Sequence, residues 1–302
     1  MLTIFATPKA FRGHFAVIQR NAIRSWTLLR PECEIILFGD DEGTKAVAAE
    51  FGVRHIADVA KTQSGTPLVS ELFEKSQQLG SHDTLCYVNC DIILMSDFIR
   101  GVQRVMTRKR RFMLVGQRWD LNLNKELDFS QNWQEKLRAD VRKNGSLLDP
   151  TGIDYFVFKR GLLPKIPPFA VGRPGWDNWM IYNARSLRLP VIDATKAIIV
   201  IHQNHDYSHH LEGFDGVWKG VEAKRNLELT ERHLFTTEDA THLLTSEKFS
   251  RAYDTEHLWR YVASLSVLYP RLRLPTKIFF VILNASRPLR HLLSIRGTRG
   301  VE

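Results

Sequence analysis

The sequence predicts an α/β fold: a Rossmann-like sheet flanked by helices, followed by a helical C-terminal extension. Three observations carry this. Short apolar runs alternate with helix-patterned segments from the first residues onward. The runs are nearly continuous in apolar character, as in strands covered on both faces. Each early run stops at a polar residue, where open α/β sheets place their ligand crevice.

The elements follow in order. Thr3–Ala6 is the first strand, closed by Thr7-Pro8-Lys9. Phe11, Phe15, Ile18, Ala22, Trp26 and Leu29 fall at helical spacing, and Pro31 ends that helix. Glu34–Phe38 is the second strand. Gly39-Asp40-Asp41-Glu42-Gly43 turns into a helix reaching about Phe51, and Val53–Ile56 is the third strand. Pro67 suits the first position of a helix running to about Gly80. Leu85–Val88 and Ile92–Met95 are apolar runs on either side of Asn89 and Asp91. A helix over Asp97–Thr107, a strand over Phe112–Val115 and a helix over Ser130–Lys143 come next. Tyr155–Phe158, Val191–Asp193 and Ala197–Ile201 complete the expected strands, with a helix over Trp176–Leu187 among them. Beyond His210 the pattern predicts helix and no strand. The expected domains are therefore residues 1–210, catalytic, and 211–302, a basic helical extension.

Composition bounds the function. Of the net charge of +9, +6 lies in residues 271–302. The main body is only mildly basic, which argues against a nucleic-acid binder. Cys33, Cys86 and Cys90 form no CxxC pair and read as reduced thiols in a cytoplasmic protein. No signal peptide is expected from the first nine residues, and no apolar run approaches the ~18 residues that span a bilayer.

Polar residues at the strand ends are the candidate site. They are Thr7 with Lys9, then Asp40 and Asp41, then Asn89 and Asp91. A second group comprises Asp154, Asp177 and the cluster His202–His210. A carboxylate just past a core strand needs a cleft, a cation or a metal, so Asp91 is the first candidate ligand. Asp40 and Asp41 also read as helix N-caps, and Thr7 as a turn residue. His202 follows an apolar run, where an imidazole can ligate a metal. His209 and His210 read as solvated loop. No HExxH spacing occurs. Asp177 lies at a helix start between Trp176 and Trp179, which suits a cap, a sugar platform or a core equally.

These residues resemble those of the GT-A glycosyltransferases, over roughly residues 1–210. The resemblance implies a Rossmann-like mixed sheet and a nucleoside-diphosphate-sugar donor, UDP- or GDP-linked. It implies Mn²⁺ or Mg²⁺ on the last acid of an Asp-x-Asp motif. Here that motif is Asn89-Cys90-Asp91, so Asp91 is the implied ligand and Asn89 would meet the ribose. Thr7 and Asp40 or Asp41 would meet the base, Asp154 is placed among the donor-binding residues, and Asp177 would take the acceptor's proton. His202 would add a metal ligand. The acceptor is a glycan, lipid or protein. The alternatives are a non-catalytic nucleotide-sugar-binding or scaffold protein and a sugar-phosphate nucleotidyltransferase. The latter would carry a glycine-rich loop after the first strand, and Thr7-Pro8-Lys9-Ala10-Phe11 is not one.

The extension has a reading of its own. Apolar residues over 258–283 interleave with Arg and Lys, which suits either packing on the catalytic domain or peripheral membrane contact.

Overall fold

The computed structural model describes residues 1–206 and 213–285, with the backbone alone for Glu256, Phe280 and residues 282–285. His209, His210 and the arginines from Arg287 onward lie outside the described residues. The chain divides into two compact units, Met1–Ala252 and Tyr253–Glu302.

In the first unit, β1 (Leu2–Ala6), α1 (Gly13–Thr27), β2 (Glu34–Phe38), α2 (Thr44–Phe51) and β3 (Arg54–Ile56) wind a parallel sheet outward. α3 (Val69–Leu79) carries the chain back to β4 (Thr84–Val88), which pairs with the other side of β1, Phe5 opposite Tyr87. The strand order therefore reverses between β1 and β4, and that is where a crevice opens. β5 (Ile92–Ile93), α4 (Ser96–Met106), β6 (Met113–Val115), β7 (Arg118–Leu121), α5 (Trp133–Asn144), β8 (Ser146–Leu147) and β9 (Tyr155–Lys159) follow. β9 inserts between β4 and β6, antiparallel to both. α6 (Trp176–Ser186), β10 (Val191–Asp193), β11 (Val200–Gln203), α7 (Gly213–Lys219), α8 (Val221–Leu229), β12 (His242–Leu244) and β13 (Phe249–Arg251) complete the unit.

The main sheet has the order β13-β12-β10-β6-β9-β4-β1-β2-β3, and a smaller one has the order β5-β11-β7-β8. This is the mixed sheet flanked by helices that the sequence predicts. Strand alternation divides the core. Ile4, Ala6, Leu37, Cys86 and Val88 join Trp26 of α1 and Phe98 of α4 in one apolar layer. Phe5 and Tyr87 instead meet Phe73 of α3, at ring distances of 5.2 and 5.6 Å. The small sheet buries Ile93, Leu121 and Ile201 against Leu137 and Val141 of α5. Gly101 lets α4 lie close, since a Cβ there would stand 2.5 Å from Ile198 Cδ1.

Four expectations change. β12 and β13 lie beyond residue 210. β12 pairs in parallel with β10 and so extends the main sheet, which is why the first unit runs to Ala252 rather than ending near 210. Pro67 is bridged to Lys61 instead of opening a helix, and α3 starts at Val69. Ala197 sits in a turn in which Ala197 and Ile198 donate N–H groups to the Ala194 carbonyl. His202 consequently lies inside β11, in the small sheet, and not beyond a strand end.

The second unit contains α9 (Thr255–Leu268) and α10 (Arg273–Ala285). No described helix is long and apolar enough to cross a membrane.

Candidate functional site

The site begins where β4 stops. Ile92 N–H donates to the Asn89 carbonyl at 3.1 Å, closing a turn that holds Asp91 at its corner. Trp26 Nε1 donates to the Ile92 carbonyl at 2.9 Å. Gln203 Nε2 donates to the Asp91 carbonyl at 3.0 Å and to the Ile18 carbonyl at 2.7 Å. These buried bonds fix the turn against α1. β5 then pairs antiparallel with β11, placing His202 opposite Ile92.

The result is a cluster. Asp91 Oδ2 lies 3.2 Å from His205 Nε2 and 3.7 Å from His202 Nε2. One ligand atom from each of Asp91, His202 and His205 falls within 4.8 Å of the others. Asp91 Oδ1 is buried with no hydrogen-bond partner. Burial raises the cost of a charge on Asp91, yet His202, His205 and Lys9 hold its carboxyl well below the usual range. An ionised carboxylate with one unsatisfied oxygen, facing two imidazoles, is a donor set that fits a divalent metal. Asp91, His202 and His205 thus form a candidate metal site.

A second layer orients it. His202 Nδ1 lies 3.0 Å from Asp120 Oδ1. Arg118 donates to Asp120 Oδ1 and to Asp154 Oδ2, both at 2.9 Å. Asn89 Nδ2 donates to Asp154 Oδ1 at 2.5 Å, and Tyr87 Oη donates to Asn89 Oδ1 at 2.8 Å. Burial works against the Arg118 charge, but Asp154 and Asp120 drive its proton affinity up. The imidazole of His202 also holds its proton more tightly than usual, because Asp91 and Asp120 outweigh burial.

Beside the cluster opens a cavity of about 560 Å³ lined by Thr7, Lys9, Asp41, Asn89, Asp91 and Arg173, among others. Lys9 Nζ lies 4.7 Å from the Phe15 ring centroid. Burial lowers its pKa to about 8, Arg173 adding to that and Asp91 opposing it. Also in the lining, Arg173 pairs with Glu222 at 2.9 Å, and Glu222 accepts from Thr66 Oγ1 at 2.8 Å. Asp177 stands at the N-terminus of α6, its Oδ1 accepting from Asn178 N–H at 2.9 Å. Burial, with the Asp154 charge adding to it, pushes Asp177 up to about 7.

The structure thus brings Thr7, Asp41, Asn89 and Asp91 to the wall of one cavity. Gly39, with φ +103°, begins the turn after β2, where a Cβ would stand 3.3 Å from Thr7 Oγ1. Asp40 is bonded to Lys61 on the exposed side and is not part of that wall. Thr7 Oγ1 donates to the Phe38 carbonyl at 3.0 Å, so the hydroxyl also ties β1 to β2. Asp154 does not line the cavity; it is a buried acid spent on Arg118 and Asn89. Trp176 is core, packed on Tyr87 and Phe156 at 5.2 and 5.5 Å.

Sequence reasoning singled out His202 and left His205 inside its cluster; the His-x-x-His spacing was the available signal. It also passed over Arg118 and Asp120, although Arg118-Trp119-Asp120-Leu121 alternates with the period of a strand.

No family model matches the sequence, and no curated protein matches it. Solved structures give distant likenesses. Glucosyl-3-phosphoglycerate synthase from Mycobacterium tuberculosis, in complex with Mg²⁺ and uridine diphosphate, is 14% identical with a TM-score of 0.46 over 78% of this chain and 79% of that one. The same synthase with Mn²⁺, UDP-glucose and phosphoglyceric acid is 15% identical with a TM-score of 0.45, covering 76% of this chain and 80% of that one. S. aureus TarS 1–349 is 11% identical with a TM-score of 0.43, covering 67% of this chain and 60% of that one. Likeness at this level carries no argument. The fold rests on the chain's own topology: a mixed sheet flanked by helices, in which the turn after β4 carries an acid into the lining of a cavity.

Proposed function

We propose that this protein transfers a glycosyl group from a nucleoside-diphosphate sugar to an acceptor hydroxyl, with a divalent cation held by Asp91, His202 and His205. The observation that carries the reading is the buried Asp91 carboxylate, whose Oδ2 meets two imidazoles while its Oδ1 has no hydrogen-bond partner, in the lining of a cavity that also holds Lys9.

The bound cation would supply Lewis acidity toward the leaving diphosphate. Imidazole donors suit first-row transition metals better than Mg²⁺, so Mn²⁺ is the preferred ion. Lys9 meets the phosphates as a second cation, fixed beforehand and half-desolvated. Arg173, paired with Glu222, lines the same cavity. Asp41 accepts a ring N–H from the base, which uracil and guanine offer and adenine does not. Asp177, with its pKa near 7, receives the proton of the acceptor hydroxyl. The acceptor oxygen bonds to the anomeric carbon as that carbon's bond to the phosphate oxygen breaks. The electron pair leaves with the diphosphate.

The test is a panel of UDP-, GDP- and ADP-linked sugars, assayed for diphosphate release with Mn²⁺, with Mg²⁺ and with chelator. Mn²⁺-dependent release from a UDP- or GDP-sugar is expected. Binding without turnover for every donor would leave a non-catalytic nucleotide-sugar binder instead.

A further inference from the structure

In the second unit, two small polar residues are buried while several large apolar ones are exposed. Among the described residues of α9 and α10, Ser264 is 3% exposed and Thr276 8%. Large apolar side chains face outward: Leu258 is 52% exposed, Leu274 67%, Ile278 50% and Val281 60%. Leu274, Ile278 and Val281 recur at i, i+4 and i+7, which makes one stripe on α10. Single exposed leucines are ordinary; a stripe marks a contact surface.

Charge selects what covers it. From His257 to Val301 the sequence holds seven arginines and Lys277 but no Asp or Glu. Arg271, Arg273 and Lys277 are exposed beside the stripe. A second copy would bring the same positive charge against itself. A nucleic acid would match the charge and leave the apolar stripe in water. An anionic bilayer surface satisfies both, since apolar side chains enter the headgroup–acyl boundary while cations stay with the lipid phosphates.

We propose that the unit beginning at Tyr253 docks on the surface of an anionic lipid bilayer, through the Leu274, Ile278 and Val281 stripe and the Arg271, Arg273 and Lys277 charges. This reading is independent of the glycosyl-transfer reading.

The experiment is flotation of the full chain with vesicles of phosphatidylcholine alone and of phosphatidylcholine mixed with phosphatidylglycerol. The full chain should float with the mixed vesicles at low salt and stay at the bottom with the neutral ones. Each cation near the surface contributes roughly a factor of five. The triple variant Arg271→Glu, Arg273→Glu, Lys277→Glu should therefore partition at least about a hundredfold more weakly. The variant Leu274→Ser, Ile278→Ser, Val281→Ser should also lose flotation. Both should keep the parent's far-ultraviolet circular dichroism and urea unfolding midpoint, which shows that the fold is intact. The proposal is overturned if the unsubstituted chain fails to float with mixed vesicles, whether it stays monomeric or self-associates. It is equally overturned if neutral vesicles bind as well, or if both variants float like the parent.

Discussion

His202 stands between two carboxylates, its Nδ1 3.0 Å from Asp120 Oδ1 and its Nε2 3.7 Å from Asp91 Oδ2. With Nδ1–H donating to Asp120, Nε2 is the nitrogen that faces Asp91, and loss of its proton to an incoming cation would give the tautomer a metal ligand needs. Asp120 is a positioning residue in this account. Asp120→Asn should weaken Mn²⁺ binding about ten- to hundredfold while the folded structure persists. Direct Mn²⁺ titration by calorimetry checks this, and unchanged affinity counts against the role.

Arg118 binds two acids, and one of them, Asp154, is buried. Removing the cation leaves that acid without its charge partner. Arg118→Met should destabilise the protein by about 3 kcal/mol. Adding Asp154→Asn should restore part of the loss. Urea unfolding measures both, and a single variant within about 0.5 kcal/mol of the parent contradicts the pairing.

Asp177 makes a prediction with a sign. Its folded pKa is about 7 against an ordinary 3.8. The folded state therefore binds the proton more tightly, and this group's contribution to stability falls as pH rises across that window. Asp177→Asn should remove that slope and be the more stable protein above neutrality. It should also lower kcat by about a hundredfold or more. In the parent, kcat should rise through pH 7 as the carboxyl ionises. A variant that keeps its kcat and changes only KM would refute the proton-accepting role.

Lys9 should bind phosphate without metal. Lys9→Met should weaken UDP binding in chelator about ten- to hundredfold, as expected for a lost charge-assisted bond. With its pKa near 8, the parent's affinity should fall as pH rises past that value. Lys9→Arg should hold affinity to higher pH. Identical UDP affinities for parent and Lys9→Met would exclude the contact.

The legible parts of this molecule were those with local signals. β1, β2 and β4 are five-residue, nearly all-apolar runs, and the polar residues after them already implied a crevice beside Asp91. β5, β8, β12 and β13 span two or three residues, too few to show a period. His205 joins Asp91 only because β5 pairs antiparallel with β11, a contact between segments more than a hundred residues apart. Asp40 and Asp41 are adjacent in sequence, and nothing local to them tells which pairs with Lys61 and which reaches the cavity. Asp154 stood out as a polar residue before a strand, but nothing local links it to Arg118, which comes from a separate four-residue strand 36 residues earlier.

The central claim is that Asp91 holds the cation on which the diphosphate rests. Electron paramagnetic resonance of free Mn²⁺, titrated with protein and UDP, tests it most directly. The parent should deplete the free-ion signal, and more strongly with UDP than without. Asp91→Ala should leave the signal at the level of a protein-free UDP control. Equal depletion by parent and Asp91→Ala would contradict the account.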